Sequence, residues 1–109
     1  APGVSVLRLP LRNELMDLER VLSHLATAHR AGSVLVESGP GLIGGMFRQD
    51  LIDEMHVYVG PMIFGDDQAL PPVRGIEVEQ LVEARRYRLI DARRVGDDVR
   101  SVYRRAMPD

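Results

Sequence analysis

Four residues, Val34-Leu35-Val36-Glu37, run straight into Ser38-Gly39-Pro40-Gly41-Leu42-Ile43-Gly44-Gly45, and this junction limits the folds open to the chain more than any other part of it. An uninterrupted β-branched and apolar run reads as a strand covered on both faces, the usual state of an interior strand in a parallel sheet. The glycines then demand a tight change of direction. Leu42, Met46 and Phe47 place a short helix's buried side between the loop and about Gln49. Gly44 and Gly45 weaken that helix by roughly 1 kcal/mol each relative to alanine, so something other than propensity must hold it.

The physical use of a glycine loop opening a helix is anion binding. The first turn presents unpaired N–H groups and a partial positive charge, and glycine lets a phosphate approach the backbone. In an open α/β sheet such a loop lies at the carboxyl edge, where ligands bind. The glycines fall at 39, 41, 44 and 45, which is neither a Walker A loop nor GxGxxG. By spacing alone, a cofactor-phosphate cradle and a plain strand-to-helix turn both remain open.

Upstream, residues 4–9 (VSVLRL) lie between Gly3 and Pro10 and read as another strand. Leu15, Leu18, Leu22 and Leu25 recur at helical spacing with Val21 beside them, opposite Glu19, Arg20, Ser23 and Thr27. Asp17 or Asn13 can cap that helix, and Gly32 stands where a C-terminal glycine belongs. Strand, helix and strand make a βαβ unit with a right-handed crossover. Downstream, residues 55–64 (MHVYVGPMIF) read as a strand that Pro61 bends or leaves unpaired. A loop-rich stretch from 68 to 82 contains Pro71-Pro72. Residues 85–94 then pair with 99–105 around Val95-Gly96-Asp97-Asp98 as a hairpin. The expected fold class is α/β in one domain over 1–109, with a mostly parallel sheet, flanking helices and a C-terminal antiparallel hairpin.

Composition removes several kinds of chemistry. The 109 residues include no cysteine, which excludes disulfides, thiolate metal sites and cysteine nucleophiles. All 14 basic residues are arginine, so there is no lysine for a Schiff base. A net charge of −2 argues against a nucleic-acid-binding surface. No apolar run approaches the roughly 20 residues a membrane-spanning helix requires, and no secretory leader is visible, so a cytoplasmic location is expected.

Other candidates read blandly. His24 and His29 are five apart and do not share a helix face as an i, i+4 metal pair does, so they are taken as surface histidines, with no metal site expected. His56 has no ligand partner in the sequence. Asp53-Glu54 opens a strand; Asp66-Asp67 and Asp97-Asp98 belong to turns. Ser38 is not in a nucleophile-elbow context. Arg85, Arg86, Arg88, Arg93 and Arg94 read as a solvated hairpin face paired to acids such as Glu83 and Asp91.

Read together, Val34-Leu35-Val36-Glu37-Ser38-Gly39-Pro40, Gly44, Asp53-Glu54, Tyr58, Pro61, Gly65 and Arg94-Val95-Gly96-Asp97-Asp98-Val99 form a pattern. Its order and spacing resemble the reductase domain of bacterial riboflavin-biosynthesis deaminase/reductases, which are relatives of dihydrofolate reductase. The resemblance covers residues 17–105 and departs from the family pattern at Ser38 and Gly41, where Gly or Ala and Thr are frequent. It implies a dihydrofolate-reductase-like fold and NADPH as cofactor. The substrate implied is a pyrimidine phosphate of the 5-amino-6-(5-phosphoribosylamino)uracil type, reduced from ribosyl to ribityl. It nominates Glu37 for the substrate and Gly39, Pro40, Gly41, Leu42, Ile43, Gly44 and Gly45 for the cofactor, and leaves catalytic residues unassigned.

The family's domain is about twice this long, so the chain is expected to be its C-terminal half, with a homodimer or higher oligomer formed through residues 55–64 and the hairpin. Two other readings stand beside it: a non-catalytic truncated module of the same fold, and a reductase of another pteridine or pyrimidine.

Overall fold

A computed structural model describes residues 2–106 of the chain. They divide into two compact units, Ala1–Ser38 and Gly39–Asp109.

In the first unit the leucine repeat forms α1 (Leu18–Ala28). Asp17 caps it, its carboxylate accepting the Arg20 N–H at 3.2 Å, which satisfies one of the orphan donors of the first turn. Leu18 is buried, and Val21, Leu22 and Leu25 are half-buried on the expected face, while Glu19, Arg20 and Ser23 are exposed. Leu15 precedes the helix and is exposed; it exchanges backbone hydrogen bonds with Arg12 in an isolated bridge. The helix ends at His29 rather than at Gly32, and Arg30 takes the left-handed conformation, φ 54°. Residues 5–7 and α1 flank an open, mostly apolar groove lined by Val6, Leu7, Val21 and Leu25 together with His24 and His29.

Two expected strands are absent. Residues 4–9 and 34–37 carry no ladder hydrogen bonds, and Val34 and Leu35 are exposed, Leu35 at 83%. A parallel strand gets its hydrogen bonds from neighbours distant in sequence. Among the described residues no segment lies alongside either stretch as a strand. The apolar pattern records what these residues would bury, and does not itself supply the neighbour.

The second unit holds the sheet, and it is antiparallel throughout, not mostly parallel. Its strands β1 (Glu54–Val59), β2 (Tyr87–Val95) and β3 (Asp98–Arg105) lie in the order β1-β3-β2. The hairpin forms as the sequence predicts, with Val95 opposite Asp98 across Gly96-Asp97. Gly96 has φ 62°, the conformation a type II′ turn reserves for glycine at its first central position. β1 ends at Val59, two residues before Pro61, and Met62, Ile63 and Phe64 are left exposed.

Register decides the character of each sheet face, because residues directly opposite in an antiparallel pair point the same way. Met55 opposes Tyr103, Val57 opposes Ser101, Val59 opposes Val99 and Leu89 opposes Tyr103, which makes one face largely apolar. On the other, Glu54 opposes Arg104, His56 opposes Val102 and Tyr58 opposes Arg100. A bulge between Leu89 and Asp91 leaves Ile90 as an extra residue, so Asp91 opposes Val102. There Asp91 accepts Arg93 at 2.9 Å and Arg100 at 3.3 Å. Val102 is buried on this face, opposite His56 on one side and Asp91 on the other.

The helix after the glycine loop is α2 (Pro40–Arg48), within the expected bounds. Met46 and Phe47 are buried as expected, but Leu42 is exposed and Gly44 and Gly45 are buried in its place. The Phe47 ring meets Tyr87 of β2 edge to face, centroids 5.9 Å apart. The Tyr87 hydroxyl donates to the Ile52 carbonyl at 2.7 Å, so one side chain ties helix, strand and the intervening connection together.

Candidate functional site

The N-terminus of α2 is built as an anion site requires. Gly39 is the N-cap residue and offers no side-chain cap. Pro40 fills the first helical position, where a missing N–H costs nothing. The first intrahelical bond runs from Ile43 N–H to the Gly39 carbonyl, so the N–H groups of Gly41 and Leu42 have no acceptor inside the helix. No acidic residue sits in the first turn to neutralise the positive end of the helix dipole. A Cβ built on Gly39 or Gly41 meets nothing within 4 Å. The space beside both glycines is open, as a phosphate lying against the backbone needs.

Gly44 differs. A Cβ there would fall on the Arg74 carbonyl, a backbone group that cannot swing away. The absent side chain is used inside the protein, to let the 74–75 segment lie against the helix. Gly45 is likewise buried. Of the seven residues nominated for a cofactor, Gly39, Gly41 and Leu42 are exposed, Pro40 and Ile43 are half-buried, and the last two face the interior.

Glu37 is exposed, and no described group hydrogen-bonds or pairs with its carboxylate. The glycine loop and Glu37 belong to different units.

The remaining acids and bases are mostly accounted for locally. Glu54 accepts Arg104 at 2.8 Å and His56 at 2.7 Å, and hydrogen bonding to Arg104 first, then His56, holds its carboxyl below the usual carboxylate range. Glu83 does not pair with the arginines; its carboxylate takes the Glu79 and Gln80 N–H groups and caps the short 3-10 helix Leu81–Glu83. Arg85 donates to the Phe47 carbonyl at 2.8 Å, and Arg94 meets Asp97 at 3.4 Å. Asp66 accepts the Gln68 N–H at 2.8 Å, closing its turn as expected of Asp next to glycine. His24 and His29 do meet, their rings 5.4 Å apart and near perpendicular, because His29 has left the helical conformation (φ −113°) and its side chain no longer follows the helix spacing. Among the described residues no group of three or more His, Asp or Glu is placed to hold a metal ion, and no helix is long and apolar enough to cross a membrane.

The model of the RibD C-terminal domain family matches residues 3–101. The chain belongs to that family. Curated relatives include the riboflavin biosynthesis protein RibD of Actinobacillus pleuropneumoniae, 29% identical over 97 residues, and that of Escherichia coli (strain K12), 32% identical over 97 residues. The alignments take in 89% and 88% of this chain but 26% of each relative. The chain therefore spans about a quarter of the length of the curated RibD proteins it matches. Two solved structures of Acinetobacter baumannii RibD superpose with TM-scores of 0.73 and 0.74 at 27% and 26% identity, over 84% and 86% of this chain and 25% and 26% of those. The RibD C-terminal domain thus accounts for the α/β architecture and confirms the dihydrofolate-reductase-like fold implied by the sequence resemblance.

Proposed function

We propose that this chain is the C-terminal part of an NADPH-dependent reductase of riboflavin biosynthesis. It would act on an intermediate of the 5-amino-6-(5-phosphoribosylamino)uracil type, reducing its ribosyl chain to ribityl. The observation that carries the reading is the open, uncapped N-terminus of α2 in a chain of the RibD C-terminal domain family. NADPH would supply the hydride. The part played by this chain is binding and alignment. The Gly41 and Leu42 N–H groups hold an anionic diphosphate, and Gly39 and Gly41 admit it without a side chain in the way. Gly44 and Gly45 shape the helix from within. Glu37, exposed and without a described partner, offers an acceptor for substrate N–H or O–H groups.

The test is made in the full-length protein. Gly41→Val, whose Cβ meets no protein atom within 4 Å, should raise the Kd for NADPH at least tenfold without lowering Tm, measured by titration calorimetry and a thermal melt. Glu37→Gln should lower kcat/KM for the pyrimidine about ten- to a hundred-fold, the loss of a charge-assisted hydrogen bond, with NADPH affinity unchanged. Unchanged behaviour of both variants would remove the roles given to these residues, and a full-length protein with neither NADPH binding nor turnover would leave the non-catalytic module.

The same reading includes self-association. β1 is an edge strand, and the exposed Met62, Ile63 and Phe64 continue from it, an arrangement open to pairing with a second copy. Sedimentation equilibrium at tens of micromolar, roughly where an interface of about 1,600 Å² should hold, is expected to show a dimer or larger. A monomer there would rule self-association out.

A further inference from the structure

α2 has poor credentials as a helix. It is nine residues long, three of them glycine, and its N-cap has no side-chain hydrogen bond. Helices of that length are marginal even in favourable sequences, so its order has to come from what packs on it. Residues Arg74 and Gly75 lie along it like a strap. At the first turn the Arg74 N–H donates to the Pro40 carbonyl at 3.1 Å. In the middle, the Arg74 carbonyl occupies the space that a side chain at Gly44 would fill. At the far end Arg48, in the last turn, sends its guanidinium to the Gly75 carbonyl at 2.7 Å. Side chains on a helix lean toward its N-terminus, so Arg48 reaches back along α2 to make this bond. Gly75 has φ 89°, a conformation other residues rarely adopt, and a Cβ there would come within 2.9 Å of the Arg48 guanidinium. Glycine at 44 and 75 and arginine at 48 therefore serve one arrangement.

We infer that Arg48 is a positioning residue for the cofactor. Through Gly75 and Arg74 it fixes the first turn of α2, and so the direction in which the Gly41 and Leu42 N–H groups point. The inference rests on the reading of that turn as the diphosphate site. Arg48 touches no ligand itself. Its effect travels through its own bond to the Gly75 carbonyl and then the Arg74 N–H bond to the Pro40 carbonyl, one residue from the first free N–H. Binding and strap order are then linked reciprocally: whatever steadies the strap favours the anion, and the anion must steady the strap.

The experiment uses the full-length protein and NADPH as the probe. Arg48→Met keeps the aliphatic stem and removes the donor. It should raise the Kd and KM for NADPH roughly threefold to tenfold, the worth of one hydrogen bond, while kcat at saturating NADPH and KM for the pyrimidine stay at wild-type values. Arg48→Lys, which retains a cationic donor, should recover most of that loss. In the unaltered protein, NADPH should slow hydrogen exchange of the Arg74 amide, a readout that needs no variant.

Wild-type NADPH affinity in Arg48→Met, a fall in kcat and in both substrates' affinities together with Tm, or an Arg74 amide indifferent to NADPH would each overturn the positioning role. Gly41→Val separates the two ideas. Weaker binding there with none in Arg48→Met removes the positioning role alone. Unaltered binding in Gly41→Val removes the cofactor site and the inference with it.

Discussion

Two apolar runs of similar character meet opposite fates in this molecule. Residues 55–59 become part of β1, paired along their whole length with β3. Residues 34–36 pair with no strand and are largely exposed. The difference is in the supply of partners. β3 follows β2 across a two-residue turn, so the hairpin forms from neighbours in sequence and then offers a ready edge to β1. An interior parallel strand has no such local source. The second unit is organised by contacts that its own sequence brings together, whereas the first has one amphipathic helix and a set of apolar groups without cover.

The sharpest way to break this contrast is to attack the second unit's core in the isolated chain. Phe47→Ala removes a buried ring packed on Tyr87 and should cost about 3–5 kcal/mol, read as a fall in urea midpoint. A small loss would mean that the unit is not held where its geometry says. Gly44→Val comes next. Its side chain collides with the Arg74 backbone, and a cost of about 1–3 kcal/mol is expected for the overpacking, with strap residues losing hydrogen-exchange protection. Tyr87→Phe keeps the ring and loses only the bond to Ile52, so about 1 kcal/mol is expected.

The same tyrosine gives a pH signature. Burial, before any charge effect, raises its pKa above the ordinary 10.0. The folded state thus favours the neutral phenol. Its contribution is complete below pH 10.0 and is lost as pH rises through the folded-state value, a decline that Tyr87→Phe should abolish. The smallest effect belongs to the first unit. Leu35→Ser should change the isolated chain's stability by less than about 0.5 kcal/mol, since Leu35 is already in water. A clear destabilisation by the same change in the full-length protein would show that residues 34–36 take a covered place there.

What the sequence makes legible follows the same division. α1, its Asp17 cap, α2 and the hairpin could all be read because each depends on spacing within a few residues. The family could be read because Glu37, the glycines and the Arg94–Val99 turn keep their order. The parallel sheet is not legible, because an uninterrupted apolar run does not report whether a neighbour is present. Leu42 was expected inside and lies outside because Gly44 and Gly45, which have no hydrophobic signal, take the buried side of α2. The use of Gly44 against Arg74, 30 positions away, leaves no trace in local pattern. Gly75 was the available clue, an isolated glycine in a loop at a spot that demands positive φ.

The extra residue at Ile90 sets the phase of everything after it in β2. Before the bulge, the odd-numbered Tyr87 and Leu89 share a face with β1's Met55, while beyond it the even-numbered Ala92 and Arg94 take that side and Asp91 turns to the arginines. Were Ile90 paired in a regular ladder instead of bulged, Asp91 would fall on the apolar side, leaving Arg100 without its carboxylate, although no charged residue had been altered. A single-codon loss of Ile90 would instead leave Leu89 opposite Tyr103 and Asp91 opposite Val102, each later side chain still read by its own surface. Lineages that lack the bulge should then lack its extra residue too, with the acid still opposite the position of Val102.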